Sequence, residues 1–173
     1  TSMQEAELKD LITKILERKT ETSRIEFKSA KGGTPEKLYD SLSSFSNTAG
    51  GIIIFGIDEK AGYKVCGVQD PDELEKKVVE QCKEMEPVVR PLITFCEYEG
   101  KTIASAEIAE MDAVSKPCSY TGKGKGKGSY IRVGEADLPM TEYEIYSYDA
   151  FKFKTEDELR INQRIDDSFL DQI

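Results

Sequence analysis

The 173-residue chain contains no histidine. That removes imidazole as a base near neutral pH, every nucleophile constellation built on a histidine base, and every histidine-bearing zinc site. Cysteine is scarce, and Cys66, Cys82, Cys96 and Cys118 form no C-x-x-C pair, so a zinc centre is not indicated. Cys82 falls on an apolar helical stripe and Cys96 inside a strand-like run. That is the pattern of reduced, buried thiols in a cytosolic protein. Long apolar runs are missing too: nothing approaches the roughly 18–20 residues of a membrane span. The start, Thr1-Ser2-Met3, lacks the basic and apolar regions of a secretory signal. These absences lead us to expect a cytoplasmic protein that does not engage membranes.

What is present suits a folded domain, since 38% hydrophobic residues can fill a core while 33% charged residues clothe it. The net charge of −9 argues at face value against nucleic acid, which needs local basic surface. The charge is unevenly spread, however. Between Asp112 and Glu135 there is no acidic residue, and Lys116, Lys123, Lys125, Lys127 and Arg132 give the segment +5, leaving −14 for the rest.

Periodicity organises the chain. Ser2-x-x-Glu5 reads as a capping box ahead of a helical face of Leu8, Leu11, Ile12, Ile15 and Leu16, ending near Lys19. Arg24 to Lys28 alternates, with Ile25 and Phe27 facing a core and Arg24, Glu26 and Lys28 facing out. Thr34-Pro35 predicts the start of a second helix striped by Leu38, Leu42 and Phe45 and stopped by Gly50-Gly51. Residues 51–57 (GIIIFGI) form an apolar run typical of a strand covered on both faces. Tyr63 to Val68 returns as its hairpin partner. Asp70-Pro71 opens a third helix striped by Leu74, Val78, Cys82 and Met85. Leu92 to Tyr98 and Thr102 to Ile108 read as a hairpin turning at Glu99-Gly100, and Tyr130 to Val133 as a short strand. Thr141-x-x-Glu144 and Thr155-x-x-Glu158 are further capping boxes, so the tail reads as helical. The expectation is a mixed α/β (α+β) fold, a central mixed sheet of about six strands with about five helices.

Three places are candidates for chemistry. Residues 122–129 (GKGKGKGS) resemble a phosphate-binding P-loop but fail its spacing, because the pattern requires glycine at 127 and lysine at 128. ATP is therefore not expected. Alternating glycine and lysine can instead follow a phosphate backbone without reading sequence, against the competing reading of a solvated, unstructured loop. Tyr120 and Tyr130 flank it as stacking candidates, Tyr130 equally as a core residue. Asn47-Thr-Ala-Gly-Gly51 can hold a ligand or make a purely structural turn. Finally, Glu21, Glu26 and Asp58 lie at strand ends, where carboxylates can converge on Mg²⁺ or Mn²⁺.

Several motifs occur in order and closely spaced: Glu21-Thr-Ser-Arg-Ile-Glu-Phe-Lys28, Phe45-Ser-Asn-Thr-Ala-Gly-Gly-Ile-Ile-Ile-Phe-Gly-Ile-Asp58, Val65-Cys-Gly-Val68, Lys116-Pro117, Tyr130-Ile-Arg-Val-Gly134 and Glu144-Ile145. Together they resemble the Schlafen AlbA-like domain over residues 20–146. This leaves residues 1–19 as an N-terminal helix and 147–173 as a helical extension leading toward further domains. The resemblance implies a mixed α/β fold and binding of DNA or RNA. In bacteria and archaea such domains open proteins described as transcriptional regulators or RecG-like helicase-related proteins. Vertebrate members that cleave transfer RNA use three carboxylates, which by motif fall on Glu21, Glu26 and Asp58, within a duplicated core that a single copy matches only by dimerising.

The leading expectation is a non-enzymatic, DNA-binding module of a cytoplasmic transcriptional regulator, needing no cofactor. Lys116, Lys123, Lys125, Lys127 and Arg132 are the expected phosphate contacts, with Arg24 and Lys28 as secondary ones. Pairing into a homodimer would double the basic loops. The alternatives are a metal-dependent endoribonuclease using Glu21, Glu26 and Asp58 with Mg²⁺ or Mn²⁺, and a protein-interaction module acting through its acidic surface.

Overall fold

The computed structural model describes the backbone of residues 2–19 and 23–171 and the side chains of residues 4–19 and 23–163. In chain order the elements are α1 (Ser2–Arg18), β1 (Ile25–Lys28), α2 (Tyr39–Asn47), β2 (Gly51–Phe55), β3 (Ile57–Asp58), β4 (Lys64–Val65), α3 (Pro71–Lys83), β5 (Met85–Glu86), β6 (Leu92–Tyr98), β7 (Lys101–Ile108), β8 (Ser119–Tyr120), α4 (Gly124–Gly128), β9 (Tyr130–Val133), β10 (Ala136–Pro139) and α5 (Glu142–Asp171). The main sheet has the order β1-β2-β7-β6. Its β1–β2 pair is parallel and its other pairs are antiparallel, so the fold is the expected mixed α+β type. The short strands pair off as β3–β4, β5–β8 and β9–β10.

The apolar run at 51–57 explains the layering. Successive side chains of a strand point to opposite faces. Ile53 and Phe55 enter a core with Leu38, Leu42, Phe45, Leu74, Val78 and Cys82 beneath α2 and α3. Ile54 and Ile57 enter a second core with Leu8, Ile12 and Ile15 of α1 and with Ile25 and Phe27 of β1. Gly56, at φ +105°, separates β2 from β3. The sheet is thus covered on both faces, as the run predicts.

The central sheet has four strands rather than about six, because the short strands pair off separately, and three local features also differ from expectation. The second helix begins at Tyr39 rather than at Thr34-Pro35. Gln81 of α3 accounts for this: its amide accepts from the Leu38 N–H at 2.8 Å and donates to the Pro35 carbonyl at 2.8 Å. A side chain 43 residues away thereby holds the segment that the Thr-Pro signal would have started. Residues 124–128 form a helical turn where an unstructured loop was the competing reading. Thr155 lies inside α5 and starts no new helix, its hydroxyl donating to the Phe151 carbonyl at 2.9 Å. The Thr141 capping box forms as expected: Thr141 N–H donates to Glu144 Oε1 at 3.0 Å, and Glu144 N–H to Thr141 Oγ1 at 3.2 Å. The box proposed at Ser2 falls on a side chain outside the described ones. No helix among the described residues is long and apolar enough to cross a membrane.

Candidate nucleic-acid interface

The basic segment is fastened to the core by an unusually polar helix. On α2, Ser41, Ser43, Ser44, Ser46 and Asn47 are all buried. Most buried polar groups find partners, and Asn47 finds them in the distant segment. Its Oδ1 accepts from Cys118 N–H at 2.6 Å, while its Nδ2 donates to the Cys118 and Tyr130 carbonyls at 2.9 Å each. Ser43 Oγ donates to the Cys118 carbonyl at 2.7 Å and accepts from Tyr130 N–H at 2.8 Å. Thr48 Oγ1 accepts from Arg132 N–H at 2.9 Å. The following glycines are required sterically, since a Cβ on Gly51 would lie 2.3 Å from the Phe45 ring and one on Gly50 2.7 Å from the Ile108 carbonyl. Within Asn47–Gly51, these contacts are made to the protein's own chain.

Two of the five cations in the segment turn inward. The Arg132 side chain is only 5% exposed; its Nη1 lies 2.8 Å from Asp137 and 3.5 Å from Glu26. Its Nε donates to the Ser23 carbonyl at 3.0 Å, and its guanidinium sits 4.8 Å from the Phe45 ring centre. Lys116, 10% exposed, meets Glu110 at 2.8 Å. Turned inward and paired, these two groups offer little to an external phosphate.

The remaining three are on the surface around α4. This turn lies against β8 because its flanking glycines permit it. A Cβ on Gly128 would sit 2.6 Å from the Tyr120 carbonyl, and one on Gly122 2.4 Å from the Tyr120 ring. Lys123 Nζ reaches the Tyr130 hydroxyl at 3.4 Å and lies 5.9 Å from that ring's centre. Lys125 pairs with Asp149 of α5 at 2.9 Å. Lys127 is exposed and makes no ion pair among the described residues. Tyr120 is stacked on Tyr39 with ring centres 3.7 Å apart, and Tyr130 is buried. Both stacking candidates are therefore already engaged within the protein. The Tyr39 hydroxyl donates to Glu84, and that bond, with burial, pushes its pKa well up.

Arg24 and Lys28 stand at opposite ends of the β1 segment. Arg24 lines a groove of about 670 Å³ between α1 and the sheet together with Glu7, Glu107 and Glu110. These acidic surroundings do not favour phosphate.

Of the three carboxylates, Glu21 lies outside the described residues. Glu26 has one oxygen beside Arg132, and its Oε2 is buried without a hydrogen-bond partner. Asp58 Oδ2 takes Lys31 at 2.7 Å and Oδ1 accepts from Lys60 N–H at 3.1 Å. The Lys31 contact holds the Asp58 carboxyl below the usual carboxylate range. Among the described residues no three metal-ligating side chains are grouped to hold an ion. Each of the two described carboxylates has a cation of the protein beside it, Arg132 at Glu26 and Lys31 at Asp58.

The acidic partners were the features that sequence reasoning missed. Asp137 faces Arg132 in the β9–β10 register, and a hairpin reading of Gly134 would have indicated it. Nothing local indicates Asp149 as the partner of Lys125.

The family model described as Schlafen, AlbA_2 matches residues 21–141. Among solved structures, the N-terminal domain of a RecG-related protein from Nitrosomonas europaea is similar, with a TM-score of 0.58 and 26% identity, over 77% of this chain and 92% of that one. The DIP2311 protein from Corynebacterium diphtheriae shares the fold at a TM-score of 0.51 and 20% identity, over 75% of this chain and 28% of that one. No curated protein matches the chain.

Proposed function

This chain belongs to the Schlafen AlbA_2 family, and we propose that it is a nucleic-acid-binding module that grips the phosphate backbone of DNA through the lysines around α4. The observation that supports this reading is the lysine turn itself. In a protein of net charge −9, Lys123, Lys125 and Lys127 are displayed together on a turn packed against the core. Ordering the backbone beforehand lowers the entropy cost of binding. Phosphates would replace counterions on the lysines, giving affinity without base readout. Lys116 and Arg132 act in this scheme by holding the segment in place. The similarity to a RecG-related N-terminal domain supports placing the module in a DNA-handling protein, and a role in a cytoplasmic transcriptional regulator is part of the proposal. No cofactor is needed. The test is affinity for short duplex and single-stranded DNA and for RNA as a function of salt. Binding that weakens steeply with salt is expected, and absence of binding to all three at low salt would refute the reading.

A second reading, a metal-dependent endoribonuclease, has one observation in its favour: the buried, unpartnered Oε2 of Glu26. Structured RNA incubated with Mn²⁺ and either the wild type or Asp58→Ala decides it. Equal cleavage by both would exclude Asp58 and end this reading.

A further inference from the structure

Between residues 142 and 155 the helix α5 has two unlike faces, and from 156 to 163 it is exposed all round. On one, Ile145 is buried and Tyr148 and Lys152 are half-buried. On the other, Tyr146 is 68% and Phe153 73% exposed, with Tyr143 also open. Between Tyr146 and Phe153 the small side chain of Ala150 leaves a groove of about 500 Å³, which Asp149, Lys154 and Asp157 also line. The matched family segment ends at residue 141, so this aromatic stripe lies outside it.

We infer that the stripe is the docking surface for a second copy of this chain, α5 against α5 in antiparallel orientation, with Phe153 of each copy seated over Ala150 of the other. The spacing Tyr143, Tyr146, Ala150, Phe153, Asp157, Arg160 alternates steps of three and four, as the seam of a two-helix pair does. Orientation follows from charge. A parallel pair stacks Asp157 on Asp157 and Arg160 on Arg160, placing like charges together in the seam, and sets Ala150 against Ala150. The antiparallel register that joins Ala150 to Phe153 brings Tyr146 opposite Asp157 and Tyr143 opposite Arg160. The first pairing offers a hydroxyl to a carboxylate and the second a guanidinium to an aromatic ring. Large meets small at the centre, so the groove of each copy is filled by the other. Asp149, on the flank nearest Glu156 of the second copy, is already paired with Lys125, which weakens the repulsion there. The same Lys125–Asp149 contact ties α4 to α5, so pairing fixes two lysine turns in one assembly.

The experiment is sedimentation velocity on the full chain without nucleic acid, beside Phe153→Glu. Phe153 is exposed, so this change is expected to leave the helical circular dichroism signal intact while weakening self-association at least about tenfold. Orientation is read by mixing Tyr146→Cys with Asp157→Cys under mild oxidation. A disulfide between the two variants, in excess over Tyr146→Cys joined to itself, is expected. A wild type that stays monomeric up to about 100 µM, leaving the stripe to an unlike protein or to lipid, would overturn the inference. So would a dimer that survives Phe153→Glu, or preferential self-linking of Tyr146→Cys. Because no nucleic acid is present and the α4 lysines are untouched, failure here is distinct from failure of the DNA-binding proposal.

Discussion

On β9 the basic side chain of Arg132 turns into the protein; a few residues earlier, around α4, three lysines turn out. The two regions adjoin in sequence and both carry cations, yet they do opposite work. Arg132 sits among Asp137, Glu26, the Ser23 carbonyl and the Phe45 ring. Those partners come from β10, β1, the turn before it and α2, so one guanidinium joins four parts of the chain. The lysines touch little beyond Tyr130 and Asp149. A desolvated charge that loses its place costs several kcal/mol, whereas an exposed one costs almost nothing. The inner cation should therefore be a determinant of stability and the outer ones determinants of binding.

The comparison breaks most readily at Arg132. Removing it leaves Asp137 and Glu26 without their cation, and Arg132→Ala is expected to lower stability by about 3–5 kcal/mol in denaturant unfolding. A loss near zero would mean that the inner and outer cations do not differ. Next is Asn47, which anchors both ends of the basic segment. Asn47→Ala should cost about 2–3 kcal/mol by stranding Cys118 N–H and weakening the hold on Tyr130.

The thiols sharpen the contrast from the interior. Burial pushes Cys118 up to about 11 and Cys82 up to about 12. A folded pKa above the unfolded value of about 8.5 contributes stability below that value and loses it as pH rises toward the folded one. Stability should thus decline above about pH 8.5. Thiol reagents at neutral pH should label Cys66, which is partly exposed, long before Cys82, Cys96 or Cys118. The smallest effect is expected at Asp149, the partner of Lys125. Asp149→Asn should free that lysine and raise DNA affinity about two- to fivefold, measured by fluorescence anisotropy at fixed low salt.

Much of this arrangement could be read from the chain. The alternation of Ile25 and Phe27, the apolar run at 51–57 and the Thr141 capping box each depend on near neighbours, and each appears as expected. What could not be read depends on distant partners. Gln81 delays the start of α2, and α2 itself buries serines that the residue pattern would leave wet. Counting charge along residues 112–135 finds the basic segment but cannot separate cations that meet Asp137 or Glu110 from those that meet solvent. A hairpin reading of Gly134 would have set Asp137 opposite Arg132, whereas only the fold turns Lys116 toward Glu110. The carboxylates illustrate the same limit, because Glu26 and Asp58 read as free ligands until Arg132 and Lys31 are seen beside them.

The central claim is that the outer lysines, not the basic segment as a whole, engage phosphates. The most direct measurement is the slope of log affinity against log salt for short duplex DNA, with wild type beside the triple change Lys123→Ala, Lys125→Ala, Lys127→Ala. The prediction is a steep slope for the wild type and one shallower by about 2–3 for the variant, with stability unchanged within about 0.5 kcal/mol. Equal slopes for the two proteins would contradict it.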